Sequence, residues 1–138
     1  CAQNATFLNA FVRVGLVPDS GMTYSLTRFL GYSKALEHMW LAKPVTAEQA
    51  LACGLVNKVV PAEFVLVEAQ MLAAELTKMP PLALALTKRA VNRSLEAPSL
   101  GEQMEYEAQL QEILGKTKDH AEGVSAFLEK RPAQFKGE

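Results

Sequence analysis

A single carboxylate, Asp19, follows the apolar stretch from Gly15 to Pro18 and precedes Ser20 and Gly21. A carboxylate that faces an apolar reactant can take a proton from one carbon and return it to another. Placed before a helix, the same residue type more often accepts a hydrogen bond from a backbone amide as an N-cap. The local sequence by itself favours capping, although Ser20 could serve as the cap in place of Asp19.

The other side chains capable of chemistry are scattered along the chain. Cys1 and Cys53 have no partner at the short spacing of a metal site or a redox pair, and they are typical of two reduced thiols. His38 and His120 lie far apart in sequence, in settings typical of surface or cap-adjacent residues. The chain therefore predicts no metal site and no disulfide framework.

The composition is that of an ordinary globular protein, with 138 residues, 49% of them hydrophobic, and a formal net charge of -1. This length is enough for one domain with a real core. A near-neutral chain without a long Lys/Arg run lacks the electrostatic footprint of a nucleic-acid partner or a polybasic membrane anchor. No apolar run has the length of a membrane span, and no signal pattern opens the chain, so we expect a cytoplasmic protein.

The elements that would position Asp19 lie in a small mixed segment, residues 1–61. Its first part, 6–17, is rich in β-branched and aromatic residues and predicts one or two short extended pieces with a bend. A strand candidate, 55–60, ends at Pro61. Three helices are expected between them, over 22–30, over 34–42 with Ser33 as the cap, and from the capping box of Thr46 and Gln49 to Gly54.

Residues 62–138 are predicted to be helical throughout, with a break at Pro80-Pro81. A capping box at Ser99 opens a helix that runs to about residue 114. Alternating apolar residues within it would suit a strand, but the cap and the Glu/Gln-rich composition favour the helix. Asp119 is expected to cap the last helix.

One strand pair and a series of helices do not close a sheet, so the apolar residues 7–17 and 55–60 need strands from elsewhere. The chain also opens at Cys1 without an initiator Met and runs straight into an apolar segment. We therefore expect a piece of a longer protein.

The order of the motifs resembles the C-terminal half of the enoyl-CoA hydratase/isomerase (crotonase) family over nearly the whole chain. Each motif is weak by itself, and their number and order make the resemblance specific. The motifs are Phe7-x3-Phe11-x3-Gly15-Leu16-Val17-Pro18-Asp19-Ser20-Gly21, Leu26-x-Arg28-x2-Gly31, Ala35-x-Glu37, Ala47-x2-Ala50-x3-Gly54-Leu55-Val56-x-Lys58-Val59-Val60-Pro61 and Glu122-Gly123-x2-Ala126-Phe127-Leu128-Glu129-Lys130-Arg131-Pro132.

The resemblance implies an α/β fold, a crotonase-like spiral of ββα units of which this chain would hold the C-terminal part. Residues 1–61 would complete the spiral core, and residues 62–138 would form a helical trimerisation region in a trimer or dimer of trimers. It also implies acyl-CoA thioester substrates and no cofactor, because CoA is part of the substrate. The two oxyanion-hole amides of the family would belong to a missing N-terminal half, so this chain alone should be inactive.

Two positions of this half can carry a catalytic carboxylate in the family, and here they are Phe11 and Asp19. Hydratases resemble each other in having Glu at the first position, working with a second Glu from the preceding half. Phe11 cannot accept a proton, which favours an isomerase with Asp19 as its one acid. The Phe11 to Gly21 stretch is closely similar to the ring-epoxide isomerases of phenylacetyl-CoA breakdown.

Alternatives to this isomerase remain open. Dienoyl-CoA isomerases need acids at both positions and fit poorly. A hydratase could pair Asp19 with an unseen Glu, a 4-chlorobenzoyl-CoA dehalogenase would use the same Asp as nucleophile, and a truncated chain could serve only as an oligomerisation module. Phe11 is either a core aromatic or a wall of the substrate pocket. Lys130 is either a solvated helix end or a contact to the nucleotide part of CoA in a neighbouring subunit.

Overall fold

The computed structural model describes all 138 residues, most of them in helices. The only strand pairing is antiparallel, between β1 (Thr6–Phe7) and β2 (Val45–Thr46), with Thr6 opposite Thr46 and Phe7 opposite Val45. The chain divides into two units, Cys1–Ala69 and Gln70–Glu138. The prediction of a mostly helical chain with a few short strands is confirmed.

The first unit contains three helices where the sequence predicts them. They are α1 (Met22–Leu30), α2 (Tyr32–Leu41) and α3 (Ala47–Ala52). At α3 the capping box is complete, because Thr46 Oγ1 accepts from the Gln49 amide at 3.3 Å and Gln49 Oε1 accepts from the Thr46 amide at 3.0 Å. The extended pieces predicted over residues 6–17 are only partly found, because the strand is limited to Thr6–Phe7 and Phe11–Val14 forms a 3-10 helix that ends at the left-handed Gly15.

The predicted cap at Ser33 is wrong. Gly31, with φ 76° and ψ 163°, ends α1 and also serves as the N-cap of α2, so Ser33 lies inside the helix. Glycine adopts this positive φ without steric cost, which lets the chain reverse between the two helices within one residue. The cap signal of Ser33 is overridden by the glycine two residues before it.

The predicted strand over residues 55–60 is also wrong. The segment makes only one isolated parallel bridge, Ala2 with Val60, with hydrogen bonds from the Gln3 amide to the Val60 carbonyl (2.8 Å) and from the Val60 amide to the Cys1 carbonyl (3.0 Å). A β-branched run becomes a strand only beside a neighbour that supplies a continuous ladder. Within this chain that neighbour is absent.

Four more helices follow. A 3-10 turn, Ala62–Phe64, leads into α4 (Val65–Leu76), which crosses the boundary between the units. The second unit holds α5 (Pro81–Ser94), α6 (Leu100–Leu114) and α7 (Lys118–Glu129). None of the helices is long and apolar enough to cross a membrane.

Caps in the second unit only partly follow the prediction. Ser99 Oγ accepts from the Glu102 amide at 3.2 Å and begins α6 as expected, but the reciprocal bond of the predicted capping box, from the Ser99 amide to the Glu102 side chain, is not formed. At α7, however, the cap is Thr117, whose Oγ1 accepts from the His120 amide at 3.1 Å. The predicted cap, Asp119, is instead a buried carboxylate that holds the C-terminal tail.

The buried apolar residues of the chain are few and mostly small. In the first unit they include Ala35, Met39, Ala42, Val45, Ala47 and Ala50, and in the second Leu110 and Ala126. Large apolar side chains are widely exposed instead, among them Val14 (73%), Val17 (74%), Trp40 (66%), Leu100 (76%) and Phe127 (83%). Apolar surface of this extent is typical of faces that pack against further protein.

Candidate active site

Asp19 sits in the turn that leads into α1, and its side chain does not cap that helix. The N-cap is Gly21, with φ 75°, and no side chain hydrogen-bonds to the first amides of the helix. Asp19 takes part in the turn through its backbone, because its carbonyl accepts from the Met22 amide at 2.9 Å. The expected capping role of Asp19 or Ser20 is therefore wrong, and the carboxylate is not used to begin the helix.

Ser20 adopts a left-handed backbone with φ 53°, directly before the left-handed Gly21. This conformation costs a non-glycine residue roughly 1–2 kcal/mol. The Ser20 hydroxyl donates to Oδ1 of Asp19 at 3.0 Å, so the side chain that bears the strain also fixes one carboxylate oxygen. Such strained residues concentrate at functional sites.

The second oxygen of the Asp19 carboxylate, Oδ2, has no hydrogen-bond partner, and no cation pairs with the group. Its exposed neighbours in the chain are apolar, with Leu16 60% and Val17 74% exposed. A carboxylate in this setting can accept a proton from a reactant that covers these apolar side chains.

Phe11 lies eight residues before Asp19, at the start of the 3-10 helix, and it is half-buried. Its carbonyl accepts from the Leu16 amide at 3.0 Å, and Arg13 of the same helix donates to the Ala42 carbonyl after α2. These bonds hold the segment that leads to Asp19. The aromatic side chain of Phe11 brings no second proton acceptor to that segment.

Asn9 is a residue that the sequence-based predictions missed. It is only 7% exposed, its Nδ2 donates to the Met22 sulfur at 2.6 Å, and its Oδ1 is buried without a partner. Met22 is the first residue of α1, directly after the Asp19 turn. The only signal in the sequence is a polar residue between the apolar Leu8 and Ala10.

Lys130 lies in the second unit, where it is the exposed C-cap of α7 with a left-handed φ of 55°. Its Nζ forms no ion pair. The next residue, Arg131, contacts Glu122 through two nitrogens at 2.6 and 2.9 Å and Glu129 through Nε at 2.7 Å. The hydrogen bonds from Arg131 and from the Gln134 amide lower the pKa of Glu122 to about 2.

No three His, Cys, Asp or Glu side chains converge closely enough to hold a metal ion.

The whole chain is similar in sequence to proteins of one known family. The enoyl-CoA hydratase/isomerase family model matches residues 1–138. The chain is 40% identical over 136 residues to the 1,2-epoxyphenylacetyl-CoA isomerase of Escherichia coli and 41% identical over 136 residues to a probable enoyl-CoA hydratase of Rhodobacter capsulatus. Both alignments cover 99% of this chain and 52% of the relative.

Solved structures give the same picture of the fold. An enoyl-CoA hydratase subunit from Geobacillus kaustophilus matches with a TM-score of 0.95 at 38% identity, over 99% of this chain and 53% of that structure. The chain thus spans about half the length of the relatives it matches. At this identity and TM-score the crotonase-like fold expected from the sequence is confirmed.

Proposed function

Because the chain belongs to the enoyl-CoA hydratase/isomerase family, we propose that it supplies the proton-transferring carboxylate, Asp19, of an acyl-CoA isomerase. The proposal rests on the hydrogen bonding of the Asp19 carboxylate. One of its oxygens is fixed by Ser20, the other is free, and neither is used to cap α1. A carboxylate with no structural partner besides its neighbour is available for chemistry.

The proposed reaction moves a double bond from the β,γ to the α,β position of the thioester. Asp19 removes a proton from the α-carbon, and the electron pair left behind delocalises onto the thioester oxygen as an enolate. The protonated Asp19 then returns the proton to the γ-carbon, and the carbonyl re-forms. Proton and charge balance, so no co-reactant is consumed.

Stabilisation of the enolate must come from outside this chain. We propose that a preceding half, absent from these 138 residues, provides the two backbone amides of an oxyanion hole. In comparable sites the loss of one such donor costs about 3–4 kcal/mol. The exposed Leu16 and Val17 beside Asp19 support this arrangement, because a covering segment would bury them and exclude water.

Phe11 favours isomerisation over hydration in this proposal. Addition of water needs an ordered water molecule, which acids hold best, and the aromatic ring of Phe11 offers no such group. We propose that Phe11 forms part of the apolar wall around the acyl group. Lys130, whose Nζ is unpaired, is proposed to meet the nucleotide part of CoA.

The acyl group is either aromatic-derived or a straight chain. The E. coli relative acts on an epoxide of phenylacetyl-CoA by its name, which supports ring-epoxide isomerisation as one form of the proposal. The proposal also includes a homo-oligomer, trimer or dimer of trimers, a cytoplasmic location, and no cofactor besides the CoA carried by the substrate.

A hydratase that pairs Asp19 with a glutamate from the preceding half is the second candidate. It is favoured by the name of the R. capsulatus relative, a probable enoyl-CoA hydratase with 41% identity. A dehalogenase with Asp19 as nucleophile stays a third, less supported alternative.

The test is a substrate panel on the full-length protein, with 3-enoyl-CoA, 2-enoyl-CoA and ring-epoxide thioesters. Conversion of a 3-enoyl-CoA labelled with deuterium at the α-carbon should give a 2-enoyl product that retains part of the label at the γ-carbon. Hydration of 2-enoyl-CoA at a rate that equals or exceeds isomerisation would instead support the hydratase.

A further inference from the structure

Asn9 carries a buried amide whose hydrogen-bonding capacity is only partly used. The residue lies between β1 and the 3-10 helix, is 7% exposed, and donates from Nδ2 to the sulfur of Met22. Its Oδ1 is closed to solvent and has no partner. A buried acceptor without a donor destabilises the folded state, so an apolar residue of similar size would serve a purely structural position better.

Met22 connects this amide to the turn that carries Asp19. It is the first residue of α1, and its backbone amide donates to the Asp19 carbonyl at 2.9 Å. Its sulfur accepts from Asn9, 13 residues earlier in the chain, at 2.6 Å. Met22 therefore contacts the Asp19 turn through its backbone and the segment before the 3-10 helix through its side chain.

The other hydrogen bonds of residues 19–22 are local. The Ser20 hydroxyl donates to Asp19, and the Gly21 carbonyl accepts from the Ser25 amide inside α1. No side chain caps the helix. The contact between Asn9 and Met22 is thus the hydrogen bond that joins the turn and the first residue of α1 to a segment outside them.

We propose that Asn9 is a positioning residue for proton transfer, which holds the Asp19 turn in place through Met22 and so keeps the carboxylate directed at the substrate. This inference rests on the proposed function, because it takes Asp19 as the proton-transferring group. Asn9 is buried and acts only through Met22. Its unpaired Oδ1 is a loss of stability that accompanies the useful donor, Nδ2.

The test compares variants of the full-length protein at both ends of this contact. Met22→Leu removes the acceptor and keeps an apolar side chain of similar size, whereas Met22→Gln places an oxygen acceptor at a similar reach. Asn9→Leu removes the donor together with the unpaired acceptor. Gln103→Leu is the matched control, because Gln103 of the second unit is also a buried amide with an unpaired oxygen. Size-exclusion chromatography checks that each variant keeps its assembly.

Asn9→Leu and Met22→Leu should each lower kcat for isomerisation of a 3-enoyl-CoA by about tenfold, because a slightly displaced reacting group is much less effective. KM should stay at the wild-type value. The double variant should be no slower than either single one, since both changes break the same contact. Met22→Gln and Gln103→Leu should keep kcat near wild type, and the Tm of Asn9→Leu should equal or exceed that of the wild type.

A deuterium label at the α-carbon gives a readout that a merely structural role would not change. A displaced Asp19 carboxylate has more time to exchange its deuteron with solvent before returning it. The fraction of label found at the γ-carbon of the product should therefore fall in Asn9→Leu and Met22→Leu, and it should be retained in Met22→Gln.

The outcomes separate the positioning role from the proposed function. Wild-type kcat and label retention in Asn9→Leu and Met22→Leu, beside an inactive Asp19→Asn, would overturn the positioning role alone. Equal losses in Met22→Leu and Met22→Gln would also overturn it, because the hydrogen bond would then not matter. A fully active Asp19→Asn would overturn the proposed function itself. If Asn9→Leu does not fold, the comparison of the two Met22 variants decides.

Discussion

The hydroxyl of Ser20 donates a hydrogen bond to Oδ1 of Asp19 over 3.0 Å, and neither residue caps the helix that follows them. Because Gly21 begins α1 through its left-handed backbone, both polar side chains remain outside the helix. Ser20 itself takes a left-handed φ of 53°. The turn therefore fixes the direction of the carboxylate at the expense of backbone strain in the neighbouring serine.

Replacement of Ser20 by alanine or glycine should separate activity from stability. Both changes remove the bond to Oδ1, and we expect both to lower kcat of the full-length enzyme by roughly 3- to 10-fold. Glycine also relieves the left-handed strain, so Ser20→Gly should be more stable than Ser20→Ala by roughly 1 kcal/mol. Steady-state kinetics and thermal unfolding of the pair measure the two effects, and equal stability of the two variants would speak against the strain.

Asp119 should be one of the more sensitive polar residues of the second unit. Its carboxylate, only 5% exposed, accepts from the amides of Lys136 at 2.7 Å and Gly137 at 2.8 Å. Asp119→Ala leaves these amides without an acceptor, and we expect a loss of about 2–3 kcal/mol in the free energy of unfolding. Hydrogen exchange at the tail should accelerate as well.

The control for Asp119 is Glu112→Ala. Glu112 is an exposed carboxylate whose pair with Lys116 is screened by solvent, so its loss should change stability by less than about 0.5 kcal/mol. A tail that exchanges at wild-type rates in Asp119→Ala would contradict the role of this carboxylate as its anchor.

The ion pairs of Arg131 with Glu122 and Glu129 should contribute stability over most of the pH range and lose it only in acid. The pKa of Glu122 is lowered from 4.5 to about 2, so the folded state favours the ionised carboxylate. Its contribution is fully present above the unfolded pKa and disappears as pH falls through the folded one. The difference in Tm between the wild type and Glu122→Gln should be constant above about pH 5 and shrink towards pH 2.

Glu129, whose pKa is also lowered by the hydrogen bond from Arg131, should lose its contribution in the acid range as well. The same comparison with Glu129→Gln therefore gives a second curve of the same sign. A Tm difference that widens as the solution is acidified would contradict the stabilising ion pair.

Phe11 should control the balance between hydration and isomerisation. Phe11→Glu places a carboxylate at the position that can hold a water molecule, and we expect the ratio of hydration to isomerisation in the full-length enzyme to rise about tenfold or more. Phe11→Leu is the apolar control and should leave this ratio near its original value. An equal ratio of hydration to isomerisation in the two variants would show that residue 11 does not determine which reaction the site favours.

Local signals in the sequence were enough for the helices and for some of their caps. Thr46 with Gln49, and Ser99 with Glu102, use partners three residues away, so their patterns are visible in any short window. The isomerase resemblance likewise depends on short motifs in order. The functional roles predicted for Asp19, Phe11 and Lys130 are not tested by the structure and stay predictions.

The predictions that failed concern residues whose interaction partners lie outside the short sequence window that a local pattern covers. The Asp119 carboxylate accepts hydrogen bonds from amides 17 and 18 residues further along the chain, and Thr117 caps α7 instead. Residues 55–60 carry strand-forming side chains, yet a strand needs a neighbouring strand, and here only the bridge to Ala2 forms. Asn9 could not be found because its hydrogen-bond partner, Met22, lies 13 residues further along the chain.

The most direct test of the account is Asp19→Asn in the full-length protein, assayed for conversion of 3-enoyl-CoA to 2-enoyl-CoA. Asparagine keeps the shape of the side chain and can still accept from Ser20, but it cannot take up a proton at neutral pH. Glu37→Gln, a change at an exposed carboxylate of α2, is the control. We expect kcat to fall by about 10²- to 10⁴-fold in Asp19→Asn and to stay unchanged in the control, whereas a wild-type rate in Asp19→Asn would contradict proton transfer by this carboxylate.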